Sequence, residues 1–127
     1  MKILKLIGLI FLLFIIIAFS LMFFLSKGLD EVLNVDINPV DLSGIEDGVY
    51  SGSYDFGRWA NKLKVTVENY KITVIQIEDD VKFSSPEVSS QLFQRVINKQ
   101  NTTVDVISGS TVTCKAYLKS IENAFIK

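Results

Sequence analysis

Three hydroxyl residues surround a glycine near the end of the chain, where the pattern changes from strand-like to helical. Thr103 to Ile107 is rich in β-branched residues, and Ser108-Gly109-Ser110-Thr111 follows it. The first N–H groups of a helix lack backbone partners and carry the positive end of the helix dipole, so this segment has the donors of an anion site. Gly109 allows close backbone approach, and the hydroxyl groups add donors. On spacing alone, an ordinary helix cap is the competing interpretation.

Two amphipathic helices are predicted around this segment. Ser85-Pro86 begins the first, with Ser as the cap and Pro in the first turn, and the helix ends near Lys99. Its apolar stripe consists of Val88 or Ser89, Leu92, Phe93, Val96 and Ile97. The second helix follows the hydroxyl segment, and its stripe is Cys114, Leu118, Ile121 and Phe125.

Strand patterns come before the helices. Gly48 to Tyr54 alternates as a short strand, and Leu63, Val65 and Val67 alternate with polar residues as a half-buried strand. Asn69-Tyr70 then turns the chain into Lys71 to Ile77, which predicts a hairpin. The simplest assembly is an α+β domain, a small antiparallel sheet with packed helices.

The N-terminal part of the chain predicts a membrane anchor. Leu6 to Leu25 is an unbroken run of uncharged, mostly apolar residues, long enough to cross a bilayer as a helix. Lysines precede the run and acidic residues dominate after it, which favours a cytoplasmic N-terminus at residues 1–5 and an exported domain. Residues 26–43 are predicted to be a tether and 44–127 the domain. A cleaved signal peptide is the alternative, but the apolar run continues past Ala18-Phe19-Ser20, longer than an ordinary signal core.

Composition excludes several function classes. Basic and acidic side chains are nearly balanced from Asp41 to Lys127, which argues against nucleic acid as a partner. Histidine is absent, and the single cysteine excludes an intramolecular disulfide and a cysteine-rich metal or iron–sulfur site. No metal site is predicted.

The segment Asp105-Val106-Ile107-Ser108-Gly109-Ser110-Thr111 resembles the flavinylation motif of the FMN-binding domain family. That family includes the flavinylated subunits of sodium-pumping NADH:quinone reductases and of Rnf electron-transport complexes. Its usual pattern is Asp-x-x-Ser/Thr-Gly-Ala-Ser/Thr, in which the last hydroxyl forms a phosphoester with FMN. The resemblance makes Thr111 the acceptor, Asp105 the leading acid and Ser108-Gly109 the turn. Ser110 replaces the usual alanine, and Cys114 stands where serine is common.

The resemblance extends upstream. Asp47-Gly48-Val49-Tyr50-Ser51-Gly52 is similar to the family's opening Asp-Gly-x-Tyr-x-Gly, and Lys64 to Ile77 to its paired strands. In all it covers about Asp47 to Phe125 and implies the same α+β fold. A threonine hydroxyl is a poor nucleophile without activation, and the sequence contains no histidine to act as its base. The family implies a separate flavin transferase that uses FAD and a metal ion.

Other residues are candidate cofactor contacts. Thr113 belongs to the cofactor-binding segment, and one of Tyr50, Tyr54 and Trp59 is a candidate to lie against the isoalloxazine ring, with core or surface packing as the alternative. Asp105 is expected to help the transferase recognise the segment or to fix the loop by accepting backbone N–H bonds, with a plain turn residue as the alternative. Arg58 and Lys62 are expected to be solvated charges, with offsetting of phosphate charge as the other role. Cys114 is expected to be a small core residue.

The predicted function is that of a membrane-anchored, extracytoplasmic FMN electron carrier. The flavin supplies the redox chemistry, and no residues for substrate turnover are identified, so the chain is not predicted to be an enzyme by itself. Its expected partners are the membrane, the flavin transferase, and redox proteins or quinone-linked carriers. Two alternatives stay open: a non-covalent FMN module of a multi-subunit reductase, and a flavin-free interaction domain on the membrane.

Overall fold

A three-stranded antiparallel sheet and two packed helices follow an N-terminal apolar helix. The computed structural model describes residues 1–126. Its elements are α1 (Lys2–Ser26), α2 (Leu29–Leu33), β1 (Gly48–Tyr54), a 3-10 turn (Gly57–Trp59), β2 (Asn61–Glu68), β3 (Lys71–Asp79), α3 (Pro86–Lys99) and α4 (Thr111–Ala124). The sheet order is β1-β2-β3; α4 packs on β1 and β2, and α3 packs on β3 and α4. The prediction of an α+β domain is confirmed.

The β2–β3 hairpin forms where alternation predicts it. Asn69 and Tyr70 both have positive φ, 53° and 63°, as the favoured two-residue hairpin turn requires. Leu63, Val65 and Val67 are fully buried against the helices. On the opposite face, Lys62 and Lys64 reach the Glu78 carboxylate at 3.5 and 3.7 Å.

The Asp-Gly-x-Tyr-x-Gly segment holds β1 in place. The Asp47 carboxylate accepts the Asn69 backbone N–H at 2.8 Å and thereby joins the start of β1 to the hairpin turn. The Tyr50 hydroxyl donates to the Glu46 carbonyl at 2.6 Å. Gly52 lies directly against α4, where an added Cβ would be 1.8 Å from the Ser120 carbonyl oxygen. This segment therefore serves the packing of β1 on α4.

The two predicted helices are present, and α4 is buried on more sides than its apolar stripe indicates. The Ser120 hydroxyl donates to the buried Asn61 side chain at 2.6 Å, and the Tyr117 hydroxyl donates to Asp80 at 2.5 Å. Glu122 is also buried. The reason is that α4 contacts the sheet on one side and the chain that follows α1 on the other.

Residues 34–43, here called the strap, dock onto the domain instead of forming a free tether. The backbone N–H and side-chain amide of Asn38 donate to the Glu122 carboxylate at 3.1 and 3.0 Å. The Thr102 hydroxyl donates to the Asn38 carbonyl at 2.7 Å, and the Val40 N–H donates to Asn101 at 3.1 Å. Burial raises the pKa of Glu122, but hydrogen bonds from Asn38 and the Lys119 ammonium outweigh it and hold that pKa below its ordinary value. The strap keeps the domain close to the end of α1.

The expectation of strand structure from Thr103 to Ile107 is wrong, because this stretch joins no strand of the described sheet. Side chains of α3 bind its carbonyl groups. Arg95 Nη1 donates to the carbonyl oxygens of Asp105 and Val106 at 2.8 and 3.2 Å, and Lys99 donates to that of Thr103. Val104, Val106 and Ile107 pack against the core. Hydrogen bonds from the Arg95 and Lys99 side chains take the place of pairing with a neighbouring strand.

Helix α1 is long and apolar enough to cross a membrane by length and composition, and none of its residues is buried against the rest of the protein. It is the single helix in residues 1–126 that meets this description. At about 1.5 Å per residue it exceeds the roughly 30 Å of a hydrocarbon core.

Candidate functional site

The hydroxyl segment forms a tight turn that leads straight into α4. The Ser110 N–H donates to the Ile107 carbonyl at 3.0 Å across the turn, and Gly109 has a φ of 82°, which favours glycine. Ser110 is the residue before the helix, and its carbonyl accepts the Cys114 N–H at 2.9 Å. Thr111 is therefore the first residue of α4, as the sequence predicts.

Backbone donors at this helix start are free. The N–H groups of Thr111, Val112 and Thr113 precede the first helical hydrogen bond, and none has a backbone acceptor within residues 1–126. The alternative of a side-chain cap does not hold, because Ser110 makes no cap hydrogen bond. The Thr111 hydroxyl also lacks a partner in the described part of the chain. Three amides and a hydroxyl are thus available to a ligand.

A pocket of about 350 Å³ contains these donors. Its lining consists of Leu29, Arg58, Trp59, Gly109, Ser110, Thr111, Val112 and Thr113. This volume is within the usual range for small-molecule sites. The pocket brings together the start of α4, the 3-10 turn after β1 and the short helix α2, three elements that are far apart in sequence.

Arg58 supplies the positive charge of the pocket. Its guanidinium carbon lies 4.4 Å from the centre of the Trp59 ring and 5.4 Å from that of the Phe83 ring, so two aromatic faces hold the side chain. Its Nε is buried and has no hydrogen-bond partner among the described residues. Of the two charges proposed from the sequence, Arg58 lines the pocket, whereas Lys62 pairs with Glu78 on the outer face of the sheet.

The three aromatic candidates differ in position. Tyr50 does not line the pocket, and its ring packs on Phe125 with 5.5 Å between ring centres. Trp59 lines the pocket, but it is only 3% exposed and the Arg58 guanidinium lies over its ring, so little of the ring is open to a ligand. Tyr54 does not line this pocket; its ring packs on Phe56 with 5.2 Å between ring centres. Burial, and to a lesser degree the Glu31 carboxylate, raises the pKa of the Tyr54 hydroxyl.

Asp105 and Ser108 lie outside the pocket lining. Asp105 is exposed in a surface depression with Arg95 and Lys99. The loop is fixed through its carbonyl groups, which Arg95 binds, and not through the expected acceptance of N–H bonds by the Asp105 carboxylate. Ser108 is exposed at the turn, on the surface that a modifying protein could reach.

Cys114 lies in the core below the motif. It is fully buried, and burial raises the pKa of its thiol despite opposing effects of an Ile107 backbone hydrogen bond and of Arg95. A thiol in this state is a poor nucleophile. Its structural environment agrees with the expected role as a small core residue.

The hydrogen-bond donors in this pocket suit the oxygen atoms of a phosphate ester. An anion bound to Thr111 would meet free N–H groups at the positive end of a helix dipole, with the Arg58 guanidinium in the same pocket. Leu29 and Val112 add apolar walls that sequence reasoning missed. Val112 follows the motif directly, but Leu29 carries no sequence feature that would identify it, because only the fold brings α2 to this pocket.

A sequence model described as FMN-binding domain matches residues 58–126. The matched range begins at Arg58 and contains β2, β3, α3, α4 and the hydroxyl segment. It leaves out the Asp-Gly-x-Tyr-x-Gly segment of β1. A comparison with curated proteins finds no match.

Proposed function

The chain belongs to the FMN-binding domain family, and from that membership we propose that it is a membrane-anchored, extracytoplasmic electron carrier with FMN joined to Thr111 by a phosphoester. The observation that carries the attachment site is the position of Thr111. Its free hydroxyl lines a pocket together with three unpaired N–H groups and a guanidinium. The bound FMN supplies the redox chemistry.

Each part of the pocket has a distinct task in this proposal. The N–H groups of Thr111, Val112 and Thr113 hold the phosphate oxygens, and Arg58 offsets the charge. Esterification also removes the second ionisation of the phosphate, so about one negative charge remains to be neutralised instead of nearly two. Leu29 and Val112 exclude water from one side of the flavin.

Attachment requires a second protein, because the described pocket holds no base that could activate Thr111. With FAD as the donor, Thr111 Oγ would form the new bond to phosphorus while the pyrophosphate P–O bond breaks and AMP leaves. The hydroxyl proton passes to the transferase. The exposure of Ser108 and Gly109 supports access by such an enzyme before the flavin occupies the pocket.

A permanently attached flavin suits a protein exposed outside the membrane, where a dissociating cofactor would be lost. The anchor suits electron exchange with membrane-bound carriers, because it raises their local concentration. The docked strap adds to this effect by keeping the domain near the end of α1.

Substitution of Thr111 tests the attachment. Thr111→Ala should abolish covalent flavin but keep the fold, at a cost of about 1 kcal/mol or less, since the side chain makes no cap hydrogen bond. Thr111→Ser should keep some attachment. Thr113→Ala is the matched control, because Thr113 lines the same pocket, and it should still carry covalent flavin.

The measurement is intact mass and in-gel flavin fluorescence after denaturation, on protein from a host that contains a compatible transferase. Fluorescence of denatured Thr111→Ala would contradict the phosphoester. A coloured native protein that loses all flavin on denaturation would instead indicate the non-covalent module. A colourless native protein would indicate the flavin-free interaction domain.

Cell fractionation tests the anchor and the orientation. The full-length chain should stay in the membrane pellet through a carbonate wash, and protease added to spheroplasts should remove the domain. Release of a mature form that begins near Leu21 would exclude the anchor. Protection from the protease would exclude the exported orientation.

A further inference from the structure

A second cleft, here called the α1 cleft, lies where the apolar helix meets the domain. It has a volume of about 410 Å³ and is lined by Ala18, Leu21, Met22, Leu25, Ser26, Leu29 and Arg58. Leu29 and Arg58 also line the motif pocket. The two cavities are therefore neighbours, and these two side chains lie between them.

The α1 cleft extends into the part of the helix that would cross the bilayer. Ala18 and Leu25 both belong to the uncharged run, and Ala18 lies about 10 Å deeper along the helix axis at 1.5 Å per residue. A ligand in this cleft would contact hydrocarbon along most of its length. It must therefore be soluble in lipid.

The polar end of the cleft is closely packed. Gly57 lies so close to the end of α1 that an added Cβ would be 2.5 Å from the Lys27 carbonyl oxygen. This contact fixes the 3-10 turn that carries Arg58 and Trp59 against α1. Arg58 lies at this end of the cleft, with its guanidinium carbon 4.4 Å from the centre of the Trp59 ring, and it forms no ion pair among the described residues.

These features define the chemistry of an occupant. It has a lipid-soluble body for the helix side, a hydrogen-bond acceptor for Arg58, and access to the cavity next to Thr111. An electron carrier that combines an apolar chain with carbonyl acceptors is a quinone. A guanidinium has five N–H donors, so Arg58 can serve a quinone carbonyl and an esterified phosphate together.

We propose that the α1 cleft is a binding site for a membrane quinone, with a head-group carbonyl on Arg58 and the chain along Ala18 to Leu25. The electron exchange that follows rests on the proposed flavin at Thr111. A quinone bound there would accept two electrons and two protons and become the quinol, while the reduced flavin returns to its oxidised form.

The single tryptophan makes binding measurable without flavin. Trp59 lies beside Arg58, and quinones quench tryptophan fluorescence. Full-length Thr111→Ala protein in phosphatidylcholine nanodiscs should show saturable quenching as the mole fraction of a long-chain quinone rises. Adding Ala18→Phe fills the cleft and should weaken binding at least tenfold. Ile17→Phe is the matched control; it adds an aromatic ring to an exposed neighbour outside the cleft and should leave binding unchanged.

Quenching that rises without saturation, and equally with Ala18→Phe and with Ile17→Phe, would overturn the proposal. It would indicate that the quinone is merely dissolved in the bilayer or that a phospholipid fills the cleft. In flavin-loaded protein, Ala18→Phe should slow flavin reoxidation by the quinone at least tenfold but leave reoxidation by soluble ferricyanide unchanged. Equal slowing of reoxidation by the quinone and by ferricyanide would also refute the proposal. Absence of flavin from the native protein would contradict the function proposed above. The quenching experiment would still show whether the α1 cleft binds a quinone.

Discussion

Gly52→Ala should disrupt the packing of β1 on α4, the contact that holds the sheet against the helix whose first residue is Thr111. An alanine Cβ would lie 1.8 Å from the Ser120 carbonyl oxygen and 2.7 Å from the Ala124 backbone nitrogen. Real Cβ contacts essentially never fall below 3.0 Å, so the strand must move about 1.2 Å away from backbone that cannot rotate aside. Overpacking typically costs about 1–3 kcal/mol, and contacts with two backbone atoms place this substitution at or above about 3 kcal/mol.

That cost is a large part of the free energy of unfolding, about 4–12 kcal/mol for a domain of this size. The assay is urea unfolding of the full chain in detergent, followed by fluorescence of the buried Trp59. Gly44→Ala is the control, because an added Cβ there meets nothing within 4 Å. If both variants unfold at the same urea concentration as wild type, the close approach of β1 and α4 is wrong.

Two further predictions concern the sheet and the strap. Val65→Asp places an unpaired charge at a fully buried position and should lower the free energy of unfolding, measured in urea, by several kcal/mol. Lys64→Asp, on the exposed face of the same strand, should lower it by less than about 1 kcal/mol. Equal losses in the two variants would mean that the strand faces are misassigned. Glu122 has a lowered pKa, so its contribution to stability is present above the ordinary carboxyl pKa of 4.5 and disappears as pH falls through the lowered value. Glu122→Gln should therefore unfold more easily at pH 7 and lose less stability between pH 5 and 3, and unchanged pH dependence would exclude this role.

Much of the domain could be predicted from the sequence because its elements follow local rules. Alternation identified the buried face of β2, and Asn69-Tyr70 identified the turn. The order Ser85-Pro86 located the start of α3. The exception, Thr103 to Ile107, failed because a β-branched stretch specifies inward packing but not a strand partner, and Arg95 and Lys99 bind its carbonyl groups instead.

The sequence by itself located a candidate anion site, because a glycine turn with hydroxyl residues before an amphipathic helix is a local pattern that leaves N–H groups free wherever it occurs. The choice of Thr111 as the attachment residue is what the resemblance to the FMN-binding domain family implies. Only the tertiary structure decided what surrounds Thr111. Arg58, Trp59 and Leu29 reach it because β1 packs on α4 and the strap holds α2 beside them. Such contacts depend on the summed packing of distant segments, which no spacing along the chain encodes. The same packing places the end of the apolar helix next to the pocket, and it excludes Tyr54, which the sequence alone could not separate from Trp59.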